Sequence, residues 1–126
     1  MPKSLPDTPS GPKALGPYSM AAEANGFVFL AGQVALDPAT GTKVEGDVVA
    51  QAERVLQNIG LLLSDVGLDY SDVVKAMVFL ADIADFAAVN EVYAKYFSSE
   101  PPARSTFQAG ALPGGYLVEI EVIAAR

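Results

Sequence analysis

Cysteine, histidine and tryptophan are all missing from this 126-residue chain. The lack of cysteine removes any disulfide framework, thiolate nucleophile or sulfur ligand for zinc. The lack of histidine removes the Ser-His-Asp triad and the imidazole that shuttles protons near neutral pH. Any chemistry must fall to Arg, Glu, Asp, Tyr, Ser, Thr, the backbone or bound water. Positive charge is scarce as well. The 8 basic residues against 15 acidic ones give a formal charge of −7, which opposes a phosphate backbone, and the Lys and Arg are scattered rather than gathered in a stripe. No apolar run reaches the ~18 residues of a membrane helix, and the start of the chain lacks the apolar centre of a signal peptide. The expectation is a soluble, cytoplasmic protein with neither nucleic acid nor membrane as a partner.

What is present suits one globular domain, with 51% of residues in the hydrophobic class. Residues 1–15 are rich in proline among small polar residues and read as a flexible leader outside the fold, leaving 16–126 as a single domain. Asn25-Gly26 between Ser19–Ala24 and Phe27–Ala31 predicts a tight β-hairpin, because both turn residues tolerate positive φ. Asp37-Pro38-Ala39-Thr40-Gly41 reads as a loop. From Val48 the apolar period lengthens: Val48, Ala52, Val55, Ile59, Leu62 and Val66 predict an amphipathic helix, with Asp47 as its N-cap and Gly67 as its stop. Val73–Leu80 reads as a buried strand. A second helix is expected over Phe86–Phe97, with Phe86, Val89, Tyr93 and Tyr96 or Phe97 on its inner stripe.

Two further strand-like runs close the chain, Ala103–Ala109 and Leu117–Val122. Alternation puts Glu119 and Glu121 on one face of the last strand and Val118, Ile120 and Val122 on the other. In the run before it, Arg104, Thr106 and Gln108 alternate with Ser105, Phe107 and Ala109. If the two runs share a sheet, the Arg104 guanidinium and a carboxylate can meet on one polar patch. The resulting order is β-β-α-β-α-β-β, an α+β fold with two helices packed on one face of a single sheet. Phe27–Ala31 and most of Val73–Leu80 are apolar on both faces. The uncovered sheet face therefore calls for a second copy of the chain, and a homo-oligomer follows from patterning alone.

Several separate motifs resemble the RidA family, the YjgF-like reactive-intermediate deaminases: Gly16-Pro17-Tyr18-Ser19, Leu30-Ala31-Gly32-Gln33-Val34, Val89-Asn90, Pro102-Ala103-Arg104-Ser105 and Val118 to Ala124. The likeness spans about residues 14 to 126. It implies a chorismate-mutase-like subunit and a barrel-like homotrimer with pockets at the subunit interfaces. It also implies hydrolysis of 2-imino or enamine acids, such as 2-iminopropanoate and 2-iminobutanoate, to 2-keto acids and ammonia, with no metal or organic cofactor.

By the same resemblance Arg104 matches the arginine that holds the substrate carboxylate, for which a guanidinium supplies a rigid two-pronged donor. Glu119 matches the glutamate that orients or activates the attacking water, and a nearby Arg104 would hold it ionised. Tyr18 lines the pocket, Gly32 permits close approach of substrate, Asn90 supports, Phe86 forms an apolar wall, and Glu121 is structural. Thr106 stands where many members carry a cysteine. Taken alone, Arg104 reads as a structural ion pair and Glu119 as a solvated strand carboxylate. Two other functions stay open: a keto-acid-binding regulatory module, which needs Arg104 but not Glu119, and an endoribonuclease or translation inhibitor, a label attached to this family that the acidic charge opposes.

Overall fold

The computed structural model describes residues 2–126. The chain folds in the order β1 (Ala21–Ala24), β2 (Phe27–Leu30), β3 (Leu36–Asp37), β4 (Thr42–Lys43), α1 (Val48–Asp65), β5 (Val73–Leu80), α2 (Phe86–Tyr96), β6 (Ala103–Gln108) and β7 (Val118–Ala125). Single 3₁₀ turns precede β5, α2 and β7. The Asn25-Gly26 hairpin forms as expected, with φ of 53° and 81° at its two turn residues. The Asp37–Gly41 loop is the tip of a second, two-residue hairpin, β3 with β4, too short to leave an alternation in the sequence.

Five strands form one sheet in the order β1-β2-β7-β5-β6, antiparallel throughout except for β5 beside β6. Two crossovers, β2-α1-β5 and β5-α2-β6, step across the sheet in the same direction. Crossovers of the same right-handed sense that step the same way put their helices on the same side, so α1 and α2 share one face. Asp47 caps α1 by accepting from the Ala50 N–H at 2.9 Å. At its other end Leu68 N–H reaches Leu63 O at 2.8 Å and Gly67 N–H reaches Ser64 O at 3.0 Å, with Gly67 left-handed at φ 79°. This is the Schellman closure that a glycine permits.

The core lies between the helices and one sheet face. Val28 and Leu30 of β2, Ala76, Val78 and Leu80 of β5, and Val118, Ile120, Val122 and Ala124 of β7 pack against Ala52, Val55, Leu56, Ile59, Leu62 and Leu63 of α1 and Val89, Val92 and Tyr93 of α2. Val92 joins the inner stripe of α2, whereas Phe86, expected on it, is 40% exposed. The opposite sheet face is open, and Phe27, Phe29 and Phe107 are each 43–45% exposed. The two-faced apolar character read from β2 is therefore real.

The register overturns one expectation. Across a sheet, residues directly opposite one another project to the same face. Arg104 lies opposite Ala76, and Ala76 opposite buried Val122, so Arg104 is on the helix side. Phe107 lies opposite Phe79, and Phe79 opposite Glu119, so Glu119 is on the open side. Within one chain the guanidinium and the carboxylate do not share a patch. The runs do belong to one sheet, but β5 lies between them and sets their phase.

The proline-rich segment read as a leader outside the fold is attached to it at several points. Ser4 pairs with Glu23 on the edge of β1 through two 2.9 Å backbone hydrogen bonds, Ser10 binds Asp65 through its N–H and hydroxyl, and Gly11 and Pro12 are buried. A Cβ at position 11 would overlap Leu62 Cδ2. The partners that hold the segment are distant in sequence.

Candidate active site

The open side of the sheet carries a cleft of about 660 Å³ in which Tyr18, Gly32 and Glu119 come together, walled by Leu15, Ala31, Val34, Leu36, Pro113, Gly114 and Tyr116. The walls are apolar, and their one carboxylate is Glu119. Gly32 lies so close to that carboxylate that an added Cβ would overlap Oε2 and come within 3.0 Å of Cδ. The close approach is built by the backbone: Gln33 N–H donates to Ile120 O at 2.8 Å and Ile120 N–H returns to Gln33 O at 3.1 Å, which pins Gly32 beside β7. The buried Gln33 side chain donates to Ala31 O at 3.0 Å and holds the same bend. Tyr18 is half-exposed, and its hydroxyl accepts from the Leu15 N–H at 3.2 Å.

Burial, and then the like charge of Glu121, push the Glu119 pKa above the usual carboxylate range. This corrects the expected stabilisation of its charge by Arg104. In one chain the sheet separates the two groups, and the effect has the opposite sign.

The helix side carries a second cleft of about 410 Å³, lined by Asn90, Tyr93, Ala94, Phe97, Pro101, Pro102 and Arg104. Arg104 is held without any acid. Its Nη1 donates to Asn90 Oδ1 at 2.6 Å, and its guanidinium carbon lies 4.7 Å from the Tyr93 ring centre and 5.7 Å from that of Phe86. Ion pairs among the described residues join Lys95 to Glu53 and Arg126 to Glu23, and neither involves Arg104. The ion-pair reading of Arg104 is thus not met. Thr106, two residues along the same face of β6, buries a hydroxyl oxygen with no hydrogen-bond partner, and so does Tyr93. Burial raises the Tyr93 pKa, with Arg104 acting in the opposite direction. Buried polar groups without partners are rare enough to call for an explanation.

The predicted residues therefore form two groups: Tyr18, Gly32 and Glu119 on one face, Phe86, Asn90, Arg104 and Thr106 on the other. Three buried polar residues that support these walls were not picked out from the sequence. Asn58 donates to Val34 O at 3.3 Å and Leu36 O at 2.8 Å, Gln51 accepts from the Leu117 N–H at 2.8 Å, and Gln33 acts as described. A signal for two of them exists. Gln51 and Asn58 lie three residues after Val48 and Val55, on the apolar stripe of α1, where an unpaired amide would be costly.

Two helices on one face of a five-stranded mixed sheet, with a carboxylate cleft on the open face and an acid-free guanidinium on the other, define a class of α+β subunit. Comparison with known proteins gives the particular family. The model of the Endoribonuclease L-PSP family matches residues 8–126. The chain is 56% identical to Protein DfrA of Myxococcus xanthus over 90% of its length and 88% of the relative's. It is 50% identical to the 2-iminobutanoate/2-iminopropanoate deaminase of goat, Capra hircus, over 94% and 87% of the two chains. Among solved structures, E. coli TdcF with bound serine superposes with a TM-score of 0.91 at 36% identity, covering 98% of both chains. The chain belongs to the RidA family, known also by the L-PSP name. Members of this family include imine deaminases. Among the described residues no helix is long and apolar enough to cross a membrane.

Proposed function

We propose that the protein hydrolyses small 2-imino acids to 2-keto acids and ammonia at sites completed between copies of the chain, in a homotrimer. The observation that carries this reading is the separation of Arg104 from Glu119 by the sheet, each on a surface open to a partner. The goat relative's name gives the reaction, and the serine-bound relative gives a small amino acid as a ligand of this fold. The exposed phenylalanines of the open face supply the apolar area that assembly would cover.

The chemistry asks for little. A protonated imine is already electrophilic at carbon, and Arg104 holds the substrate carboxylate through two parallel hydrogen bonds. A water about 3 Å from that carbon attacks, its lone pair forming the C–O bond while the C=N π pair moves to nitrogen. Glu119 takes the water proton and returns it to the nitrogen. Collapse of the carbinolamine then forms C=O and breaks C–N, the hydroxyl proton passing through Glu119 to the departing ammonia, which leaves as ammonium. Tyr18 and the carbonyls near Gly32 hold the water. A pocket that bound keto acids without turnover would keep its dependence on Arg104 and lose that on Glu119.

The test mixes two inactive variants. Arg104→Ala and Glu119→Gln chains, unfolded and refolded together in equal amounts, form trimers of which three quarters are mixed. Every mixed ring has one intact Arg104-to-Glu119 interface, so about a quarter of wild-type activity returns. Keto acid is measured with a pyridoxal-phosphate serine/threonine dehydratase supplying the imine. The double variant refolded with wild type serves as the control. No recovery on mixing, with trimers demonstrably formed, would place both residues in one chain's site and end the composite reading.

A further inference from the structure

The Glu119 cleft is closed on one side by the turn Pro113–Gly115 and by Tyr116. Gly114 and Gly115 are successive left-handed residues, at φ 82° and 71°, a conformation that glycine adopts without steric cost. Both of their carbonyl oxygens are taken by a single ammonium: Lys43 Nζ donates to Gly114 O at 3.1 Å and to Gly115 O at 3.2 Å. The same nitrogen lies 5.1 Å from the centre of the Tyr116 ring. Neither ion pair among the described residues involves Lys43.

Lys43 belongs to β4 and sits directly opposite Leu36 of β3, and Leu36 lines the facing wall of the cleft. One side chain therefore ties the two walls together. The anchoring of those walls is otherwise unequal. Asn58 holds the Leu36 wall from the core through two carbonyls, whereas on the other side the core's hold, Gln51 on the Leu117 N–H at 2.8 Å, falls beyond the turn, whose own backbone bond, Gly115 N–H to Leu112 O at 3.0 Å, is internal to it. A glycine pair with only local bonding is free to swing unless something outside it takes its carbonyls.

We propose that Lys43 is a positioning residue that sets substrate specificity: by latching the Gly114-Gly115 turn to the β3-β4 hairpin it fixes the width of the Glu119 cleft and so the size of side chain a 2-imino acid can carry. This rests on the imine-hydrolase reading above. The latch acts on width rather than on the reacting atoms. Releasing it should therefore admit longer side chains and leave turnover of the smallest substrate almost unchanged.

The experiment compares wild type, Lys43→Met and Lys43→Arg. Methionine keeps the length and loses the donors; arginine keeps a charge and a fork that can serve two carbonyls. The kcat/KM ratio of a long-chain to a short-chain 2-imino acid should rise about tenfold in Lys43→Met through KM, with kcat for the short one within about threefold, and should return toward wild type in Lys43→Arg. Amide hydrogen exchange at Gly115 and Tyr116 should quicken by roughly tenfold in Lys43→Met alone. An unchanged ratio overturns the proposal whatever the exchange shows, and so does a changed ratio with unchanged exchange. If the wild type turns over no imine, the functional reading falls and the latch is decided by calorimetric binding of the matching 2-oxo acids in the same three proteins. A wild type that binds none of them overturns both.

Discussion

The two faces of one sheet carry two half-sites that are incomplete in opposite senses. On the helix side Arg104 is a cation with no anion, yet it is fully prepared: one donor is committed to Asn90 and two aromatic rings flank the guanidinium. On the open side Glu119 is a carboxylate with no cation, and burial and Glu121 make its charge costly. Arg104 is positioned by side chains from one neighbouring helix. Glu119 is positioned by backbone, through the Gly32 cradle and the Gln33–Ile120 bridge. Each face holds the charge that the other lacks, and the sheet keeps them apart. The composite site proposed above would join the two faces and satisfy both groups at once.

The largest expected effect comes from the prepared half. Hydrogen bonds to charged groups are worth roughly 1.5–3 kcal/mol each, so losing two in Arg104→Ala should lower kcat/KM by about two to four powers of ten. Arg104→Lys should recover part of this, since a point charge cannot reproduce the fork. Steady-state rates on a small imino acid decide it, and near-normal activity in the alanine variant would move the carboxylate anchor elsewhere.

How much of this was legible in sequence follows from how far each signal reaches along the chain. The Asn25-Gly26 turn, the Asp47 and Gly67 ends of α1, and the strict alternation of β7 are local, and the fold carries each of them. The phase of β6 against β7 is not local. It depends on where β5 pairs with both, and a one-residue slip exchanges the faces, so the faces of Arg104 and Glu119 could not be assigned relative to one another from sequence. The same reach explains Ser4 on Glu23 and Ser10 on Asp65, where a segment that looked merely solvated finds partners far away. Gln51 and Asn58 were readable in principle, as amides on an apolar helical stripe. Their targets, Leu117 and the Val34–Leu36 bend, were not.

The carboxylate half should respond next. Glu119→Gln keeps the shape and removes the proton acceptor, so turnover should fall by about two to three powers of ten with keto-acid affinity by calorimetry largely kept. Stability tests the electrostatics separately. A carboxyl whose folded pKa is raised contributes stability that is fully present below the unfolded pKa and is lost as pH rises through the folded pKa. In an Arg104→Ala background, where no copy supplies the cation, Glu119→Gln should therefore raise Tm at neutral pH and leave it unchanged in acid below the ordinary carboxylate range. A lowered neutral Tm would mean that another group stabilises the ionised form.

Gly32→Ala attacks the cradle. Its Cβ would overlap the Glu119 carboxylate, so the side chain must turn away. A misplacement of this size should lower kcat by roughly ten- to a hundredfold, and Arg104-dependent binding on the other half should survive. Equal losses in kcat and in keto-acid affinity would show that the two halves are not separable.

The smallest effect, and the sharpest on mechanism, belongs to Glu121→Gln. Glu121 lies two residues from Glu119 on the open face, and its charge is the second cause, after burial, of the raised Glu119 pKa. If Glu119 must be ionised to take the water proton, the rate falls as pH drops through its pKa. Burial and Glu121 push that pKa up and a partner's Arg104 would pull it down, so the position of the acid limb reads the balance between them. Removing the Glu121 charge lowers that pKa, so the limb of kcat/KM should move to lower pH. At neutral pH the rate should stay within about threefold of wild type, since Glu121 takes no part in the proposed proton transfer. A pH-rate profile of the two proteins on one substrate reads the shift directly. An acid limb that does not move would assign it to some group other than Glu119. A limb that moves upward would mean that Glu121 favours the ionised form, through a contact that only the assembled protein makes.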